Sequence, residues 1–491
     1  MAPRWVRRFV LTDHERDSRA SHCIAAPADG SNWTSFMATR AAGPAALAAA
    51  AAAGVAVGVA LSALWRRKKS ATDQVHESTI RLMTRVAIKS GAVNLSQGFP
   101  NEPPPREMAC AAAGALLCGA SAASAAAAAA ELEATGPRAE ETDALNQYSF
   151  PYGAPQLRHA VTKYYAQRFP GAFAYEADEN ITIVAGATEG FAACIRALAA
   201  PGDVVAFFEP CHELYPSQLA LFGMRPHAVT LTATPQGWAF DTSELEAALL
   251  KATLFLFNDP HNPTGHRFLP AERRLIVDLC RKHGVVIVTD EIYEWILYDG
   301  GGLHEPLAVL DPENVVIVSS ISKTARATGW RIGWVVASAS RTQRIRAVHD
   351  QLVACVATPL QIGVARLLEL PPTEWFTDIW EEYWAKRDVL GDALQAAGFD
   401  LGPTPRGAYY WFVGYKGVPQ LRALDPLAAA MKLTREYGVA CVPGDNFYVS
   451  DRRNDAAHGQ RYLRFAFCRS LGVLRDAAER LAAMGWNPPA V

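Results

Sequence analysis

The chain has 491 residues, half of them hydrophobic, with 47 basic against 49 acidic side chains and a net charge of −2. That is enough apolar material for two cored domains, and it lacks the basic excess that grips nucleic acid, so small-molecule partners are expected. The nine cysteines, at 23, 110, 118, 194, 211, 280, 355, 441 and 468, are odd in number, scattered and without a CxxC pair, so neither a disulfide framework nor a metal site is indicated and a reducing compartment is the simpler inference.

Residues 1–70 read as an extension ahead of the folded part. Within it, 41–65 is an uncharged, alanine-dominated run followed by Arg66-Arg-Lys-Lys69. As a helix rising about 1.5 Å per residue it would exceed the roughly 30 Å hydrocarbon core. One expectation is therefore a transmembrane helix, with the basic residues keeping the catalytic part on the cytoplasmic side of a membrane. The other is a removable targeting segment for an organelle, mitochondrial or plastid. Residues 71–150 are expected to open a small domain. An alanine-rich and then acidic stretch, 119–142, interrupts it as a surface insertion with a helical alanine part.

From 151 to 345 short β-branched runs alternate with helical patterns: 181–184, 204–208, 254–257, 285–289, 315–319 and 333–336. Such alternation predicts an α/β fold, a mostly parallel sheet covered by helices, with ligands beyond the carboxyl ends of the strands. From 346 to 491 the pattern is helical over 342–368 and 374–397, then strand-like at 408–413 and 462–467, which predicts a second, smaller domain.

The polar residues that follow these runs carry the chemistry. After 181–184 comes Ala185-Gly-Ala-Thr-Glu-Gly190; the free N–H groups of a helix start at Ala187 and Thr188, with the Thr188 hydroxyl, can cradle a phosphate. The same pattern also suits an ordinary strand-to-helix turn. Next, Asn258-Asp-Pro-His-Asn262-Pro-Thr-Gly265 builds a rigid turn able to aim the Asn262 amide at a flat ligand. The run 285–289 leads to Asp290, three residues before Tyr293. A carboxylate there can keep a ring nitrogen protonated and a phenol can bond the ring's oxygen substituent, although a helix N-cap is the plainer role for an Asp. The segment Ser320-Ile-Ser-Lys-Thr-Ala-Arg-Ala-Thr-Gly-Trp-Arg331-Ile-Gly333 puts Lys323 on a connection between strands. Its amine can condense with the aldehyde of pyridoxal 5'-phosphate, while the hydroxyls of Ser320 and Ser322 and the guanidinium of Arg331 take the phosphate. Alone, such a lysine reads better as a surface residue in a polar loop, and the rest of the chain decides. Arg464, in Arg461-Tyr-Leu-Arg-Phe-Ala-Phe467, shares a strand face with Tyr462 and Ala466. It can hold a substrate carboxylate with both arms of its fork, or serve a structural ion pair.

Taken in order, these motifs closely resemble the class I and II aminotransferases of pyridoxal-phosphate fold type I, over about 75–486. Asn94-Leu-Ser-Gln-Gly-Phe-Pro100 and Asn146-Gln-Tyr148 are similar to the branch containing the kynurenine, glutamine and methionine transaminases. The resemblance implies that Gly98 lines the substrate site and that Tyr148 reaches the cofactor phosphate of a neighbouring subunit, hence a homodimer. It also implies that the residue at His212, normally Tyr or Phe, stacks on the cofactor ring. Asn262, Asp290, Tyr293, Lys323, Arg331 and Arg464 then hold cofactor and substrate as argued above. Ala325 and Arg326 depart from the family pattern. Ala354 and Cys355 stand where the kynurenine enzymes place an aromatic residue and a histidine, and Ile80 replaces their tryptophan, which argues against kynurenine itself. The expected reaction is amino transfer between an L-amino acid and a 2-oxo acid. A carbon-sulfur β-lyase for cysteine conjugates would use the same residues. A catalytically dead, membrane-anchored binding protein is opposed by the intact Lys323, Asp290 and Arg331.

Overall fold

The computed structural model describes residues 105–117, 121–136, 145–298, 304–370 and 379–484. The run 41–65, Ile80 and Gly98 lie outside the described residues. The expectation of a transmembrane helix is corrected: among the described residues no helix is long and apolar enough to cross a membrane.

Eight strands form one sheet: β1 (Ile181–Val184), β2 (Val204–Glu209), β3 (Arg225–Thr234), β4 (Gly237–Phe240), β5 (Ala252–Asn258), β6 (Val286–Asp290), β7 (Val315–Ser320) and β8 (Gly333–Val336). Their order is β1-β8-β7-β6-β5-β2-β3-β4. β3, β2, β5, β6 and β7 run parallel, whereas β8 is antiparallel to both β7 and β1, and β4 is antiparallel to β3. Parallel strands covered on both faces call for unbroken apolar runs. Accordingly, β7 is buried along its whole length, and so are the antiparallel β8 and β1 beside it. Their side chains alternate between two cores. Val316 and Val318 join Phe191, Leu254 and Ile345 on one face, while Val315 and Ile317 join Phe255, Ile287 and Trp334 on the other. Truncating one of these to alanine costs about 2–5 kcal/mol. The pair β3 and β4 has no counterpart among the expected strands because it forms the partly exposed end of the sheet, where no continuous apolar run is required.

The helices used below are α1 (Arg106–Leu117), α2 (Ala122–Thr135), α3 (Ala187–Leu198), α4 (Leu214–Leu221), α5 (Ile321–Thr324), α6 (Ala339–Val353) and α7 (Thr358–Glu369). The alanine-rich stretch is the helix α2, capped by the Ser121 hydroxyl, which accepts from the Ser124 N–H at 3.1 Å. It packs so closely on α1 that a side chain at Gly114 would press on the backbone of Ala125 and Ala129. The long helical pattern 342–368 resolves into α6 and α7. It breaks because Ala354 adopts φ 64° and ψ −60°, and because Pro359, which cannot donate within a helix interior, sits in the first turn of α7.

A smaller antiparallel sheet holds β9 (Tyr410–Gly414), β10 (Val442–Pro443) and β11 (Tyr462–Ala466) in the order β10-β11-β9. Arg464 lies in its central strand, opposite Phe412 of β9 and Val442 of β10.

Candidate active site

Strand direction brings the scattered motifs to one edge. Asn258 pairs with Asp290, and Asp290 with Val318 near the end of β7; Ser320 pairs with Gly333, and Gly333 with Val184. The carboxyl ends of β1, β7, β6, β5 and β2 therefore line up with the amino end of β8. The turns holding Ala187, Arg331, Lys323, Asp290, Asn262 and His212 all leave from this line, the edge at which open α/β sheets bind ligands.

At the left of it, Gly186 turns with φ 75° into α3, whose first N–H groups carry no side-chain cap. Ala187 is half-buried and Thr188 exposed. Arg331 takes a left-handed conformation, φ 55°, immediately before β8. That bend carries its guanidinium over Gly186: Nη1 donates to the Thr328 carbonyl at 2.9 Å and Nη2 to the Ala185 carbonyl at 3.4 Å. A Cβ on Gly186 would lie 2.8 Å from Cζ of Arg331. Ser320 caps α5, accepting from the Ser322 N–H, and both serines are buried. Uncapped helix N–H groups, a guanidinium and two hydroxyls form a cup of the kind that can take a phosphate.

Lys323 follows on α5, half-buried. Among the described residues nothing hydrogen-bonds or ion-pairs with its amine. Burial, helped by Arg331 and Arg464, holds the ammonium below the ordinary lysine value, against the opposite pull of Cys468 and Asp290. An amine so placed reaches its nucleophilic form more readily.

Asp290 is not a helix cap, since a turn rather than a helix follows it. Its Oδ2 accepts from the Tyr215 hydroxyl at 2.6 Å. Burial pushes Asp290 up to about 6, partly offset by that hydrogen bond, and a cation placed opposite would bring it back down. Tyr215, from α4, is pushed well up by its own burial and by Asp290, so it keeps the proton it donates. Tyr293 is buried, its hydroxyl 2.9 Å from that of Tyr410.

His212 is half-buried, its ring centroid 6.1 Å from that of Tyr215. Burial, together with Arg464 and Lys323, pushes it down to about 4, so near neutrality it presents an uncharged flat ring. Across the edge, Nη1 of Arg464 donates to Oδ1 of Asn262 at 2.8 Å. The guanidinium is sandwiched by Tyr410 and Phe447, with Cζ 4.4 and 4.7 Å from the ring centroids. Its buried Nε has no partner, and among the described residues no carboxylate pairs with it, so the structural ion pair is absent there. Asn262 is held in turn by Asn258, whose Oδ1 accepts its N–H at 2.7 Å while Nδ2 donates to the Asp290 carbonyl at 2.9 Å.

The structure brings the sequence-predicted residues Ala187, Thr188, His212, Asn262, Asp290, Tyr293, Ser320, Ser322, Lys323 and Arg331 to one edge, with Arg464 facing Asn262 from the smaller sheet. Tyr148 is 62% exposed. Sequence reasoning misses Tyr215 and Tyr410, because each acts on a residue distant in sequence, and Asn258, which ties the nearby Asn262 to the distant Asp290. The signal for Tyr215 was its position one helical turn after His212.

Three comparisons with known proteins identify the family. The family model for aminotransferase class I and II matches residues 112–481. Methionine aminotransferase of Escherichia coli (strain K12) is 31% identical over 417 residues, which cover 84% of this chain and 97% of that protein. Kynurenine–oxoglutarate transaminase of Dictyostelium discoideum is 29% identical, over 81% of this chain and 91% of its own length. Among solved structures, N-succinyldiaminopimelate aminotransferase from Mycobacterium tuberculosis superposes with a TM-score of 0.65 at 27% identity, covering 84% of this chain and 98% of that one. The chain belongs to the class I and II aminotransferases, enzymes of fold type I. It is a pyridoxal-phosphate-dependent transaminase acting on amino acids and 2-oxo acids. The cofactor fits the residues present: the uncapped helix start under Arg331 suits its phosphate, the buried Asp290 its ring nitrogen and the unpaired Lys323 its aldehyde.

Proposed function

We propose that the edge from Gly186 to His212, closed by Arg464, is the transamination site. The observation that carries this reading is Arg464, a guanidinium held by Asn262 and two aromatic rings yet left with an unpartnered buried Nε and no counter-ion among the described residues. A group in that condition calls for a carboxylate.

Bound pyridoxal phosphate supplies a carbonyl that condenses reversibly with amines and a protonated pyridine that accepts the electron pair left at the substrate's α-carbon. The protein does the rest. Asp290, steadied by Tyr215, keeps the ring nitrogen protonated. Ser320, Ser322, Arg331 and the first N–H groups of α3 hold the phosphate, His212 lies against the ring, and Tyr293 bonds its oxygen. Arg464 and Asn262 grip the substrate's α-carboxylate and so aim the α-hydrogen. Lys323, with its basicity lowered by burial, takes that proton and returns it.

The donor we propose is an L-amino acid with a slender side chain, of the methionine or glutamine kind. Support comes from Ala354 and Cys355, small where the kynurenine enzymes are bulky, and from the methionine aminotransferase among the relatives. The working unit in this reading is a homodimer, in which Tyr148, 62% exposed in the single chain, reaches the neighbouring subunit's cofactor phosphate. A donor screen against several 2-oxo acids tests the assignment. Methionine and glutamine should exceed kynurenine in kcat/KM by about tenfold or more, the worth of one or two missing ring contacts. A preference for kynurenine would overturn the donor class and leave the transaminase chemistry standing.

A further inference from the structure

His349 is completely buried in α6, between the first turn of α3 and Pro151, and the mechanism above does not use it. Its two ring nitrogens are both engaged. Nε2 lies 2.8 Å from the carbonyl of Pro151, which can only accept, so Nε2 carries a proton. Nδ1 lies 2.9 Å from Oε1 of Glu189, so one proton is shared between ring and carboxyl. The other oxygen of Glu189 accepts the Ala185 N–H at 3.0 Å, and the Ala185 carbonyl takes Nη2 of Arg331. These contacts form one chain: Pro151, His349, Glu189, Ala185, Arg331.

The position of this chain gives it a purpose. Ala185 and Gly186 form the turn that leaves the N–H groups of Ala187 and Thr188 uncapped. With its own N–H tied to Glu189, Ala185 cannot rotate to cap the turn in another way. At the far end, Pro151 belongs to the segment just after Tyr148, which is laid along β1 through the Ile183 N–H, donating to the Tyr152 carbonyl at 3.0 Å. We propose that His349, through Glu189, is a positioning residue for the phosphate cup, setting the β1–α3 turn and Arg331 against the cofactor phosphate without touching it. The inference rests on the reading of that cup as the phosphate site. It follows the general behaviour of outer groups that fix the orientation of the ligating ones.

The test compares the binding of pyridoxal 5'-phosphate and pyridoxal, which share ring and aldehyde and differ in the phosphate, to cofactor-free protein by quenching of tryptophan fluorescence. His349→Gln and Glu189→Leu each break the chain at one link. Both should weaken pyridoxal 5'-phosphate about tenfold or more, as loss of a charge-assisted bond does, and leave pyridoxal within about twofold. Glu189→Gln, which can still accept from Ala185 and donate to the ring, should stay near the wild-type ratio. Equal losses for both ligands, or none, in variants with a cooperative thermal transition would overturn the proposal. If His349→Gln does not fold, the two Glu189 variants decide it alone, because Glu189 lies nearer the surface. A wild-type protein that binds pyridoxal as tightly as its phosphate would instead refute the phosphate cup itself, so the two failures are distinguishable.

Discussion

The positive charges of Arg464 and Lys323 act on each other's surroundings and on His212, and this is part of how the site works. Arg464 and Lys323 help keep His212 neutral, and Arg464 helps hold Lys323 below its usual value. The planar fork of Arg464 matches a carboxylate as a lysine ammonium does not. Arg464→Lys should therefore cost amino-acid and oxo-acid substrates about 1.5–3 kcal/mol, roughly tenfold to a hundredfold in kcat/KM. Simple amines without a carboxylate should react almost as before; parallel losses in both would leave Arg464 with a purely structural part. His212 makes a prediction in pH. Its folded value near 4 lies below the ordinary 6.5, so its contribution to stability is intact above pH 6.5 and lost as the pH falls toward 4. Phenylalanine keeps a flat ring and removes the titration. Relative to wild type, cofactor-free His212→Phe should gain about 2 kcal/mol between pH 7 and pH 5, read from urea unfolding at the two values. A difference that does not change with pH would show a histidine whose folded value is the ordinary one, and a loss on going to pH 5 would show one held charged in the fold.

At the scale of elements, the decisive feature is the turn from β1 into α3. It is tight because β8 approaches it closely: a side chain on Gly333 would lie 2.8 Å from the Ser319 carbonyl and 3.1 Å from the Ala187 nitrogen. Gly186 sits under the Arg331 guanidinium with a positive φ that other residues adopt at a cost of about 1–2 kcal/mol. Gly186→Ala should weaken pyridoxal 5'-phosphate binding by about tenfold or more, measured by equilibrium dialysis, and lower the melting temperature by only a few degrees. Unchanged affinity would mean that the phosphate sits elsewhere. This turn was legible as a strand-to-helix junction, because β-branched residues followed by Gly-Ala-Thr leave little choice. That it faces Arg331, 145 positions further on, was not legible, since the meeting depends on β8 running antiparallel between β1 and β7.

For the molecule as a whole, the homodimer reading makes a prediction that a monomer cannot meet. Tyr148 is proposed to serve the other subunit's phosphate and Lys323 its own. Dimers reassembled from Lys323→Ala and Tyr148→Ala chains would then carry one site with both residues intact and one with neither. Each variant alone should be dead or impaired, and the mixed population should recover part of the wild-type rate, approaching half per hybrid dimer. Recovery absent from hybrids isolated with two different affinity tags would place Tyr148 in its own subunit's site or in none.

The amino-acid sequence by itself determined the strand cores, the alternation that makes an α/β sheet and the order of the motifs. These are local matters: unbroken β-branched runs need two covered faces, and turns need glycine, proline and small polar residues wherever they lie. It also determined the cofactor, because Lys323 between hydroxyls and a following arginine, together with Asp290 at a strand end, has few chemical uses in combination. Only the tertiary structure decided which polar residues answer one another. Tyr215 finds Asp290, Asn262 finds Arg464 and His349 finds Glu189, pairs 75, 202 and 160 positions apart. Nothing in their immediate neighbours foretells the pairing, because hydrogen bonds between buried side chains follow from strand order and helix packing rather than from local pattern.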